Sequence, residues 1–104
     1  MKDEIINSFF SKIGTLKEKL KSAYLFGSRA RGEEKPYSDY DILMVMEKRD
    51  EEIVDKFYDA VVDILLETGK VISLKIFNEN DFKRLSSIPT PFMARVLKEG
   101  IKIG

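Results

Sequence analysis

Two carboxylates and a basic turn stand close together in this chain. The apolar run Ala23-Tyr24-Leu25-Phe26 leads into Gly27-Ser28-Arg29-Ala30-Arg31-Gly32, and a short spacer then reaches Ser38-Asp39-Tyr40-Asp41 ahead of Ile42-Leu43-Met44-Val45-Met46. A strand that ends in Gly-Ser can turn backbone N–H groups and a hydroxyl towards a phosphate, because glycine has no Cβ to keep the phosphate away from the main chain. Arg29 and Arg31 could neutralise a polyphosphate beside it. Residues i and i+2 on a strand share a face, so Asp39 and Asp41 converge. Two carboxylates that close repel unless a cation lies between them. Mg²⁺ or Mn²⁺ suits such a pair, taking one or two carboxylates and completing its shell with water and phosphate oxygens.

Taken singly, each fragment is ordinary. Gly-Ser ends many strands, arginines line many surfaces, and an acidic turn precedes many strands. Ser38 reads equally as a phosphate or metal-shell hydroxyl and as a turn residue.

Composition narrows the chemistry further. The chain has 104 residues, with no histidine and no cysteine. Imidazole bases, Ser-His-Asp triads, zinc-binding H-E-x-x-H and thiolate nucleophiles are therefore excluded. Carboxylates, hydroxyls and cations remain, the groups that work with hard, oxygen-ligated metals. Lys plus Arg and Asp plus Glu number 18 each, so the formal charge is zero. A neutral chain has little grip on a nucleic-acid backbone, and nucleic acid is not the expected partner. No apolar run approaches the roughly 20 residues of a membrane span, and the N-terminus has no signal-peptide core. A cytoplasmic, single-domain protein over residues 1–104 is the expectation, with one modest core.

The elements that must position these residues are legible from periodicity. Ile5, Ile6, Phe9, Phe10, Ile13, Leu16 and Leu20 predict an amphipathic helix over 3–21 despite Gly14. Ala23–Phe26 is a short strand. The stretch 28–38 is a loop or short irregular helix, and Asp41–Met46 is a buried strand. Asp50 caps a helix carrying Ile53, Val54, Phe57, Tyr58, Val61, Ile64 and Leu65, stopped by Gly69. Val71–Phe77 alternates as a third strand. Asn78, with Asp81 three residues on, starts a helix under Phe82 and Leu85. Thr90-Pro91 opens the last helix, with Phe92, Val96 and Leu97 inward, and Ile101 and Ile103 offer a terminal strand. The order predicts an α/β (α+β) fold, a small mixed sheet with helices packed on it. Tyr37 and Tyr40 flank the acidic loop, where they can stack on a base or simply pack. Phe92, Met93, Ile101 and Ile103 are candidates for core or for a self- or partner interface, which leaves a homo-oligomer open.

The combination Gly27-Ser28-Arg29-Ala30-Arg31-Gly32, spacer, Ser38-Asp39-Tyr40-Asp41-Ile42-Leu43 resembles the signature of the DNA polymerase β-type nucleotidyltransferases, and its wording and short length resemble their minimal branch. The resemblance is sharp over Leu25–Met46 and elsewhere extends to element order. It implies a polymerase β-like core in which Gly27 and Ser28, aided by Arg29, Arg31 and Ser38, hold the phosphates of a nucleoside triphosphate. Asp39 and Asp41 would be the catalytic pair, ligating Mg²⁺ or Mn²⁺. The implied reaction is transfer of a nucleoside monophosphate, AMP from ATP, to a hydroxyl acceptor with loss of pyrophosphate. Minimal members pair with a small helical HEPN-type protein and act as antitoxins, in some cases by adenylylating the toxin. Members with the full site carry a third carboxylate on a following strand. Here the matching strand offers Ser73 and Lys75, and Glu79 and Asp81 beyond it are better spaced for helix capping. The resemblance therefore leaves a second possibility, a nucleotide-binding module that neutralises its partner by contact with weak or no turnover.

Overall fold

The computed structural model describes residues 3–104. The first helix, α1 (Glu4–Ile13), begins at Asp3, whose carboxylate accepts from the amides of Ile5 and Ile6. It does not run on to residue 21. Gly14 takes a φ of 56°, which an L side chain rarely adopts, and the chain tightens into a 3₁₀ segment, Gly14–Lys19. Leu20, read as a helical residue, instead opens β1 (Leu20–Phe26). The basic turn is a single helical turn, α2 (Ser28–Arg31), closed by Gly32 in the left-handed region.

The remaining elements are β2 (Tyr40–Met46), α3 (Glu51–Thr68), β3 (Ile72–Asn78), α4 (Glu79–Ser86), α5 (Pro91–Glu99) and the two-residue β4 (Ile101–Lys102). Local chemistry sets their ends. Asp50, Asn78 and Thr90 each accept a hydrogen bond from an amide of the first turn that follows, and Gly69 terminates α3. The acids Glu79 and Asp81 thus stand in the first turn of α4, where the helix dipole favours them.

The four strands form one mixed sheet in the order β3-β2-β1-β4. β1 runs antiparallel to β2 and β4, whereas β2 and β3 are parallel, joined by the crossover helix α3. The fold is the α/β, mixed-sheet architecture expected from the sequence. Alternation along the strands separates two faces. Ala23, Leu25, Ile42, Met44, Met46, Ile72, Leu74 and Ile76 build the main core with α1 and α3, through Phe9, Phe57 and Ile64. The opposite face is thinner: Phe26, Leu43 and Val45 pack under Val96 of α5, with Tyr24, Phe77, Phe82 and Phe92 at the margin. Leu97, expected inward, is 64% exposed. Among the described residues, no helix is long and apolar enough to cross a membrane.

Candidate nucleotide and metal site

The thin face leaves the mouth of the sheet uncovered, and the singled-out residues gather there. Strand register sets Phe26 of β1, Asp41 of β2 and Ser73 of β3 in one row. Partners in register project to the same side, so Asp41 and Ser73 are lateral neighbours. Lys75 lies one same-face step along β3, beside Leu43.

Gly27 follows Phe26 directly and turns the chain into α2 with φ 77° and ψ −159°, a region that essentially only glycine occupies. Space imposes a second requirement: a Cβ at this position would collide with Oδ2 of Asp41. The Gly-Ser turn and the second carboxylate, 14 positions apart in sequence, are therefore packed against each other. Ser28 is the first residue of α2, and amides in a first helical turn lack a carbonyl partner one turn back.

Asp41 is half-buried, and its carboxyl is raised above the usual carboxylate range. Burial is the main cause and the charge of Asp39 the next, while Lys75 and Arg31 pull in the opposite direction. Asp39 itself precedes β2 by one residue and is exposed. The pair is thus one carboxylate at the sheet mouth and one on the loop, electrostatically coupled.

The two arginines have different tasks. The Nε and one terminal nitrogen of Arg29 donate to the Ser38 carbonyl oxygen at 3.0 and 2.9 Å, and its guanidinium lies 3.9 Å from the centre of the Tyr40 ring. Its planar fork is therefore committed to holding the loop that carries Asp39. Tyr40 is buried in the main core, not displayed for stacking on a base, and its hydroxyl donates to Asp3 at 3.0 Å. Arg31 forms an ion pair with Glu99 of α5 at 2.9 Å and a longer one with Glu33. The Ser38 hydroxyl accepts from the Lys35 amide, as a turn residue does. Tyr37 is 83% exposed. Lys70 donates to the Pro36 carbonyl, a second clamp on the loop. Asp3, Tyr40 and Lys70 had no local signal in the sequence as positioning groups, because their partners lie more than 30 positions away.

A small hard cation fits this donor set in kind. Two carboxylates and nearby hydroxyls are all oxygen, and the charge of Asp39 helps to raise the Asp41 carboxyl, an effect a cation would offset. Among the described residues, no group of three or more potential ligand side chains of the Asp, Glu, His and Cys types comes together. The strand neighbour that could supply a third is Ser73.

The chain matches the family described as Polymerase beta, Nucleotidyltransferase over residues 6–104, and it belongs to that family. Solved structures share its fold. A toxin–antitoxin crystallised with AMP-PNP aligns with TM-score 0.57 at 18% identity, over 98% of this chain and 72% of that one. The toxin–antitoxin MntA-HpeT carrying two Asp→Glu substitutions aligns with TM-score 0.57 at 16% identity, over 93% and 70%. A second MntA-HpeT mutant aligns with TM-score 0.56 at 18% identity, over 100% and 72%. No curated protein matches the chain by sequence at a significant level.

Proposed function

We propose that residues 1–104 act as one minimal nucleotidyltransferase domain that moves AMP from ATP to a hydroxyl on a protein partner, as the antitoxin of a toxin–antitoxin pair with a HEPN-type toxin. The observation that carries this reading is the packing of Gly27 against the Asp41 carboxylate. It brings the turn read as phosphate-accepting against the carboxylate read as cation-holding, in a chain of the nucleotidyltransferase family. The toxin–antitoxin neighbours, one with a nucleotide analogue, support the nucleotide and partner halves. An ATP-dependent reaction of this kind belongs in the cytoplasm.

The roles follow from position. Gly27 leaves room for the triphosphate, and Ser28 offers its hydroxyl and amide. Arg31 and Lys75 contribute positive charge near Asp41. Arg29 and Ser38 hold the loop of Asp39. Asp39 and Asp41 would hold Mg²⁺ or Mn²⁺, which when bound neutralises phosphate charge and polarises the reacting group. In the reaction the acceptor oxygen bonds to the α-phosphorus and the α–β bridging P–O bond breaks. Pyrophosphate leaves with that electron pair, and the hydroxyl proton passes to solvent.

Ser73 in the row of Asp41 favours a second reading, a module that binds nucleotide and neutralises its partner without turnover. Incubation with α-labelled ATP, Mn²⁺ and a lysate of the source cell separates the two. Label on a protein band with the wild-type chain, and none with Asp39→Asn/Asp41→Asn, establishes transfer. Metal-dependent ATP binding without label establishes the module. Wild-type affinity for ATP in the double variant would remove the site from both readings.

A further inference from the structure

The longest helix shows a second apolar stripe that the fold does not use. On α3, Val54, Phe57, Ala60 and Ile64 are buried against the sheet. Tyr58, Val62, Leu65 and Leu66 lie outside that stripe and are 43, 50, 43 and 79% exposed. Tyr58, Val62 and Leu66 are spaced four apart, a single i±4 ridge of the kind that interdigitates with the grooves of another helix, and Leu65 widens it. Single exposed apolar residues are normal on a surface, but an aligned run at helical spacing marks a contact. The ridge is flanked by charge of one sign. Within Glu51–Thr68 there are six acids, Glu51, Glu52, Asp55, Asp59, Asp63 and Glu67, and one base, Lys56. All six acids are exposed, and among the described residues Asp55 and Asp59 form no ion pair. Glu51 is paired with Arg49 and Glu67 with Lys12, which leaves Glu52, Asp55, Asp59 and Asp63 against Lys56 and the face acidic in balance. Tyr58 reaches towards the Leu74 carbonyl of β3, which places the ridge along the open edge of the sheet, on an element the nucleotide site does not draw on.

We infer that the outer face of α3 docks an amphipathic helix of a second protein, its apolar stripe seated on Tyr58, Val62 and Leu66 and its flanks rich in lysine and arginine. The ridge calls for a helix, and the charge decides against a second copy of this chain. Two α3 helices packed on each other would bring two such acidic flanks together, whereas a basic helix meets complementary potential and gains in encounter rate as well. The surface supplies the contact that the partner half of the proposed function needs, and it stands whether or not the chain turns over nucleotide.

The test titrates the ¹⁵N-labelled chain with a synthetic Leu/Lys amphipathic helix and with its Leu/Glu counterpart, in wild type and in Leu66→Asp. Leu66 is exposed, so this variant folds, and it adds negative charge. Expected are amide shifts confined to 51–68 and their near neighbours, binding of the Leu/Lys helix only, and an affinity at least tenfold weaker in Leu66→Asp. Unchanged or tighter binding in Leu66→Asp would show unspecific charge attraction and overturn the proposal, as would equal binding of the Leu/Glu helix. Sedimentation of the free chain provides a further arm. A wild-type dimer lost in Leu66→Asp would make a second copy the occupant and sink the inference. Mn²⁺-ATP binding, measured alongside, stays at wild-type level in Leu66→Asp. Absence of ATP binding in the wild type too would count against the nucleotide reading and leave the docking result standing.

Discussion

At the residue scale the site is organised around the Asp41 carboxylate and the space left for it. Gly27 meets it from one side in a glycine-only conformation, so Gly27→Ala faces backbone strain of about 1–3 kcal/mol and a clash with Oδ2 of Asp41. That variant should lose stability by urea titration and bind Mn²⁺-ATP at least tenfold more weakly. The carboxyl of Asp41 is raised, first by burial and then by Asp39. A carboxyl higher in the folded than in the unfolded chain binds its proton more tightly when folded. Its contribution therefore favours folding below the ordinary value of 3.8 and is lost as pH rises through the raised value. At neutral pH the ionised group opposes folding. Asp41→Asn should accordingly raise Tm at pH 7 while removing Mn²⁺-dependent ATP binding, and the Tm gain should disappear on acidification. A variant that loses Tm at pH 7 would show that Asp41 stabilises the fold. Across the sheet, Ser73 is its lateral neighbour, so Ser73→Asp should create a tighter second Mn²⁺ site by isothermal titration. An unchanged titration would mean that β3 does not line the site.

At the element scale, the proposed function asks that the loop between α2 and β2 be held still. Arg29 clamps it by two hydrogen bonds to the Ser38 carbonyl and by stacking on Tyr40, itself anchored on the Asp3 cap of α1. Hydrogen bonds to a charged donor contribute about 1.5–3 kcal/mol when well formed. Arg29→Ala should speed amide exchange over 33–39 and weaken ATP binding, and Arg29→Lys should rescue little, since an ammonium lacks the fork and the flat face. Recovery of slow exchange in the lysine variant would contradict that geometry. This clamp also explains what was legible in the chain and what was not. The ends of α3, α4 and α5 were readable because Asp50, Asn78, Thr90 and Gly69 act on their own neighbours. The candidate motif stood out in the chain because Gly27 and Ser28 are adjacent and Asp39 and Asp41 are two positions apart. The end of α1 was misread: Leu16 and Leu20 keep helical spacing past Gly14, and only the positive φ of that glycine shows that the helix has stopped. The contacts that Arg29 and Tyr40 make with each other, with the Ser38 carbonyl and with Asp3 were not legible in the chain, because their members come together only on folding.

For the whole molecule, the two sheet faces divide the work unequally. The thick face, with Phe9, Phe57 and Ile64 fully buried, holds most of the core, and the thin face leaves Asp41, Ser73 and Lys75 half-buried to exposed, where the proposed function places the nucleotide. Whole-molecule stability should then be far more sensitive to the first face. Phe57→Ala removes a fully buried ring from the centre of α3 and should cost about 3–5 kcal/mol, a large share of the roughly 5–15 kcal/mol a domain has in total. Val96→Ala removes much less volume, but it loosens α5, which carries Glu99 against Arg31. Its urea midpoint should move little, while its affinity for Mn²⁺-ATP falls more than that of folded Phe57→Ala. Paired urea and ATP titrations decide the point. If stability and affinity fell in fixed proportion in both variants, the site would share one cooperative core with the rest of the molecule. If they separate as expected, the binding face is a distinct, thinner layer resting on a core that does not need it.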